Sequence, residues 1–226
     1  MSEPSALSPV RVWDLPTRLF HWSLAATVTG SLACAWTDAM TWHVRLGFVA
    51  LMLLAFRLLW GMVGGRWSRF ASFVYAPATL LRYLRGQSRP EEQLDVGHTP
   101  TGALSVFGLL LILVVQVGTG LVADDEIAFI GPLNRFVASE TALSATSWHK
   151  TYGQWIIVAM VLLHLAAIAW YRLKKRIDLI RPMLDGDKQL PADTPPSADG
   201  GPQRVLALVL LLVCGALAGW VWGLSG

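Results

Sequence analysis

Five stretches of this chain are each about 20 residues long and almost wholly apolar, the length a helix needs to cross the hydrocarbon core of a bilayer. They run approximately 17–36, 42–63, 103–123, 148–171 and 205–222. None alternates in the period-two manner of a barrel strand, so each reads as a helix. Composition agrees: 54% of residues are hydrophobic and 15% are charged, where a soluble domain carries about 25% charge. The expected fold is an all-α membrane protein, a four-helix transmembrane bundle plus a fifth C-terminal transmembrane helix. Residues 1–16 form an N-terminal segment, 17–182 the bundle, 183–203 a flexible linker and 204–226 the last helix. The first block is not read as a cleaved leader. Its apolar core outruns the roughly 7–15 residues of a signal peptide, and a cut after Ala33-Cys34-Ala35 would discard His21.

Basic residues set the expected orientation, because they accumulate in cytoplasmic loops. Arg66, Arg69, Arg82, Arg85 and Arg89 lie between blocks two and three, and Arg172, Lys174, Lys175 and Arg176 follow block four. Arg11 and Arg18 precede or open block one. The opposite loops are acidic: Asp38 stands in the first, and Asp124, Asp125, Glu126 and Glu140 in the second. The N-terminus is therefore expected in the cytoplasm and the C-terminus in the periplasm of a bacterial inner membrane. The net charge of +3 is a topology signal, and no nucleic-acid partner is expected. The prolines at 191, 195, 196 and 202 and the Gly200-Gly201 pair are what make 183–203 read as a tether. Eleven tryptophans, several near block ends, suit the interfaces with membrane lipid.

Four of the five histidines fall inside the apolar blocks, where ionisable side chains are rare and usually functional. His21 lies just inside block one on the cytoplasmic side, His43 opens block two and His149 opens block four on the periplasmic side. His164 follows His149 by 15 residues, roughly 22 Å along a helix and within about 60° of the same face. Depth then pairs His43 with His149 outside and His21 with His164 inside, each pair drawn from two helices. Two imidazoles from two helices suit a flat macrocycle gripped from both faces, so two haem b groups are expected. Zinc is disfavoured because neither depth offers a third ligand, and copper lacks Met or Cys support. A proton relay would want carboxylates in the blocks, and none is present. The two cysteines, Cys34 and Cys214, form no Cys-x-x-Cys-His, so the haems are not covalently attached.

Other residues fit this arrangement. Gly47 and Gly153 each lie four residues beyond a histidine and leave room for a porphyrin edge. Arg57, 14 residues after His43, either neutralises an inner propionate or snorkels to headgroups. Arg45 is off the His43 face and either snorkels or meets an outer propionate. Gly118 and Gly120 either admit a haem face or permit close helix packing.

The motifs Val12-Trp13-Asp14-Leu15-Pro16-Thr17-Arg18-Leu19-Phe20-His21-Trp22, Trp42-His43-Val44-Arg45-Leu46-Gly47, Phe56-Arg57-Leu58-Leu59-Trp60-Gly61, Gly97-His98-Thr99-Pro100-Thr101-Gly102-Ala103 and Trp148-His149 together resemble the bacterial di-haem cytochrome b family. That family includes bacterial cytochrome b561 and the b-type cytochrome subunits of nickel–iron hydrogenases. The resemblance covers roughly 10–188. It implies haem ligation from helices one, two and four, and electron transfer between a periplasmic redox partner and the quinone pool. The implied partner is a hydrogenase or other dehydrogenase subunit or a c-type cytochrome, with quinone as substrate; a homo-oligomer is compatible. His98 belongs to the family's turn before helix three, outside the apolar block, and reads as a turn residue near an inner propionate or quinone. Lys150 departs from the family, where an acidic residue often follows the helix-four histidine. The fifth helix is not part of the common unit. Two rival functions remain: a stand-alone quinol oxidoreductase passing electrons to a small oxidant such as superoxide, and a non-redox helical anchor whose histidines bond between helices.

Overall fold

The computed structural model describes residues 6–89, 92–127 and 129–225. The first five residues of the expected N-terminal segment and residue 226 of the last helix lie outside them. Helix α1 covers Leu15–Trp36, α2 Met40–Val63, α3 Pro77–Leu84 and α4 Pro100–Val122. A continuous helical run over Ser139–Lys175 then comprises α5 (Ser139–Ser147), a π-helical turn (Trp148–Gly153), α6 (Gln154–Trp170) and a second π-turn (Tyr171–Lys175). The chain closes with α7 (Arg181–Asp185) and α8 (Gly201–Trp222).

Local chemistry fixes the helix starts. Asp14 caps α1: its Oδ1 accepts the Thr17 N–H at 2.8 Å, and Pro16 sits in the first turn, where no N–H is needed. Thr99 does the same for α4, its Oγ1 accepting the Gly102 N–H at 3.1 Å, with Pro100 as the first helical residue. Asp38 turns the chain between α1 and α2 in the left-handed region, at φ 58°.

Among the described residues, four helical stretches are long and apolar enough to cross a membrane: Met40–Val63, Pro100–Val122, Ser139–Lys175 and Gly201–Trp222. Their apolar side chains largely point outward, and only 6% of the most apolar window of Ser139–Lys175 is buried. Such exposure is unfavourable in water but suits contact with lipid. Helix α1 has the length, yet Arg18, His21 and several Ser and Thr residues dilute its apolar character. Four crossings, rather than the five expected, therefore stand on both length and composition.

The described residues divide into two compact units, those of 6–19, 58–107 and 164–208 forming the first and those of 20–57, 108–163 and 209–225 the second. The first unit corrects the linker reading of 183–203. Strand β2 (Asp187–Pro191) pairs antiparallel with β1 (Leu7–Arg11), Leu7 facing Pro191 and Arg11 facing Asp187. Ser197 is buried, donates to the Val12 carbonyl at 2.7 Å and accepts the Trp67 N–H at 3.2 Å. Trp67 Nε1 donates to the Pro195 carbonyl at 2.8 Å. Prolines and glycines here shape a folded strap, because the N-terminal strand supplies the backbone partners that such a segment otherwise lacks. Asp199 ends the strap, accepting from Leu15 N–H at 3.0 Å and pairing with Arg11 at 2.8 Å and Arg204 at 3.3 Å. Burial pushes its carboxyl up, but the Leu15 N–H and the two guanidinium groups outweigh that and hold it below its ordinary range.

Beneath the strap, Val12, Trp13, Trp67 and Val96 form a small core with Met183 and Leu190 against it. Asp14 is fully buried beside them. Its carboxylate accepts from Trp60 Nε1 at 3.1 Å, Gly65 N–H at 3.2 Å and Ser68 Oγ at 2.6 Å, besides the Thr17 cap. One carboxylate thus ties the start of α1 to the end of α2 and the turn after it.

In the second unit, Trp36 Nε1 donates to Gln154 Oε1 at 2.9 Å and the Trp36 ring stacks on Trp155, centroids 6.1 Å apart. Phe48 meets Trp222, centroids 4.7 Å apart, so the end of α8 packs on α2.

Candidate functional site

His43 and His149 come together within the second unit, their ring centroids 5.8 Å apart and their planes 87° to one another. His43 lies in the first turn of α2, and His149 lies in the π-turn that follows α5. A π-turn widens a helix locally and recurs at functional sites. Each ring is held from behind. His43 Nδ1 lies 3.0 Å from the Ser31 carbonyl and 3.1 Å from Ser31 Oγ, and His149 Nδ1 lies 2.9 Å from the Gln116 carbonyl. A backbone carbonyl only accepts, so each Nδ1 carries the proton and each Nε2 keeps a lone pair for a metal. That is the arrangement a ligating histidine needs, since the second hydrogen bond fixes tautomer and ring orientation.

The two rings border a cavity of about 450 Å³, also lined by Gly47, Phe48, Leu113 and Gly120. That volume lies in the range of cofactor sites. An imidazole nitrogen sits about 2 Å from its metal, so two rings sharing one metal from opposite sides have centroids about 6 Å apart. The donor atoms, tautomers, spacing and apolar walls therefore fit a haem held by two imidazoles. A side chain on Gly47 would meet nothing within 4 Å, so this position opens into the cavity. A Cβ on Gly120 would lie 3.0 Å from His149 Cε1; its hydrogen keeps the space the ring occupies.

Other expected residues lie elsewhere. Gly153 does not line the cavity. A Cβ there would overlap Gln116 Oε1 at 1.8 Å, so its missing side chain makes room for an amide rather than a porphyrin edge. Arg45 stacks over the Trp42 ring, 4.9 Å from its centroid, and does not line the cavity either. Arg57 is 3% exposed, with its guanidinium carbon 6.0 Å from the Phe20 ring centroid; it faces protein. His98 packs its ring on Trp13 and Phe73, at 4.6 and 4.3 Å, and its carbonyl accepts the Tyr75 hydroxyl at 2.7 Å. That is a turn residue in an aromatic cluster. His21 sits in α1, its ring edge-on to Trp22 at 5.0 Å, and His164 sits in α6. They belong to different units.

Gln116 was missed by sequence reading. Its backbone carbonyl takes the His149 Nδ1 proton, and its side-chain Nε2 donates to the His149 carbonyl at 3.0 Å. The available signal was its position as the one amide in an otherwise apolar block.

A family model described as prokaryotic cytochrome b561 matches residues 12–186. The chain belongs to the prokaryotic cytochrome b561 family. It is a multi-pass membrane protein, and a b-type cytochrome implies haem b. The chain is 29% identical over 139 residues to the "Probable Ni/Fe-hydrogenase 1 B-type cytochrome subunit" of Escherichia coli strain K12, and equally to that of strain O157:H7. The match covers 54% of this chain and 58% of each relative. The α8 helix and the end of the strap lie beyond the cytochrome b561 match.

Proposed function

We propose that this cytochrome carries electrons across the bacterial inner membrane through two b-type haems, between a periplasmic redox protein and the quinone pool. The carrying observation is the His43–His149 pair, each ring donating Nδ1–H to a backbone carbonyl at the wall of an apolar cavity. When bound, haem iron supplies reversible one-electron chemistry. His43 and His149 ligate the outer haem, Ser31 and Gln116 hold their tautomers, and the cavity walls keep water from the iron. His21 and His164 ligate the inner haem. Helix α1 crosses the membrane as the first of five spans, with the N-terminus in the cytoplasm and the C-terminus in the periplasm. The redox partner is a hydrogenase-type subunit, a reading supported by the named relatives.

Two measurements test this. A pyridine haemochrome assay on the purified protein should give two haem b per chain. Proteoliposomes with trapped ferricyanide should pass electrons inward when a quinol is added outside. Absence of b-type bands from well-folded protein overturns the electron-transfer reading, and turnover with superoxide alone favours a stand-alone oxidoreductase instead.

A further inference from the structure

We infer that Lys150 holds a carboxylate of the cofactor in the outer cavity, resting on Asp125 when none is present. The inference rests on the haem reading of that cavity. Among the described residues, the charged side chains lining it are Asp38, Asp125 and Lys150, so acid exceeds base where a haem would bring two further carboxylates. Carboxylates at a low-dielectric wall need a cation, and the demand falls on the lysine. The other basic residues near this end are engaged elsewhere: Arg45 is turned onto Trp42, Arg135 donates to the Leu224 carbonyl at 3.1 Å, and neither lines the cavity.

Lys150 is available for the task. Its Nζ lies 3.9 Å from Asp125 Oδ2, at the outer edge of an ion pair, with the lysine side chain 60% exposed. An exposed pair of that kind contributes little and exchanges readily. Asp125 does not depend on it either, because its Oδ1 accepts the Ile127 and Phe129 N–H groups at 3.1 and 2.8 Å. Releasing Lys150 therefore leaves Asp125 satisfied by backbone. Lys150 also directly follows His149 in the same π-turn, so a carboxylate held there ties the macrocycle to the segment that ligates its iron.

The test follows haem transfer from purified, detergent-solubilised holoprotein to excess apomyoglobin. Lys150→Gln should release haem about tenfold faster, the cost of losing a charge-assisted contact. Lys150→Arg should release it at close to the parent rate. Asp125→Asn, which keeps the backbone bonds and frees the lysine, should release it no faster than the parent. The redox titration of Lys150→Gln should also move downward, because a cation beside the haem favours the reduced state; a tenfold change in a one-electron equilibrium is about 59 mV. Unchanged release from Lys150→Gln overturns the inference. So does equal acceleration in Asp125→Asn, which would mean that the lysine acts only through the ion pair. A parent protein without b-type bands fails the haem reading itself, a separate outcome.

Discussion

Replacing Asp14 by alanine should be the most damaging single change outside the histidines. The carboxylate is fully buried and accepts from Thr17 N–H, Trp60 Nε1, Gly65 N–H and Ser68 Oγ. Two of those donors have recourse. Trp60 Nε1 already lies 3.2 Å from Thr17 Oγ1, and the Ser68 hydroxyl can rotate. The Thr17 and Gly65 N–H groups are left stranded, at about 1–3 kcal/mol each, the first of them being the helix cap, so the total is about 2–6 kcal/mol. For a chain of this size that is a fall in melting temperature of roughly 10 °C. Asp14→Asn should fall about half as far, since its amide keeps one acceptor while turning a donor toward Gly65 N–H. Thermal melts in mild detergent, read by size-exclusion fluorescence, give the comparison. A D14A midpoint within about 2 °C of the parent would refute the reasoning that this buried carboxylate knits the first unit together.

Further outcomes follow from the same contacts. Because Asp199 is held below its ordinary carboxyl range, it contributes stability above its unfolded value of about 3.8, and that contribution is lost as pH falls through the folded value. The parent's melting temperature should therefore drop more steeply than that of D199N between about pH 5 and pH 3; parallel curves would contradict this. Gly47→Phe fills the cavity and Gly120→Leu displaces the His149 ring, so each should lower haem content from two to one per chain while α-helical circular dichroism stays at the parent's level. Gly153→Ala should push the Gln116 amide off the His149 carbonyl at a cost of about 1–2 kcal/mol in stability, and an unshifted melting curve would argue against that contact. His21→Ala and His164→Ala should each remove one haem and spare the outer one; loss of both haems from folded protein would count against separable sites.

The apolar blocks carried most of the architecture, because a lipid-facing helix must be long and continuously apolar, and that requirement is written locally. The meeting of His43 with His149 was likewise legible, since both open a block on the same side. What escaped were features set by distant partners. The strap over 183–203 has the composition of a tether, and its order comes from pairing with Leu7–Arg11 and from Ser197 reaching Val12 and Trp67. Gly153 matched Gly47 in spacing, but the Gln116 side chain occupies its space. The π-turn at Trp148–Gly153 departs from the regular helix that spacing arguments assume. Helix α1 was drawn as a span on its length and apolar run, and its hydroxyl residues and Arg18 keep composition from carrying it.

Low-temperature electron paramagnetic resonance of the oxidised protein bears most directly on ligation by His43 and His149. The parent should give low-spin ferric signals alone, as six-coordinate haem with two imidazoles requires, and His149→Ala should either lose one such signal or convert it to high spin. A His149→Ala protein that keeps both haems and the parent's full low-spin spectrum would contradict the account.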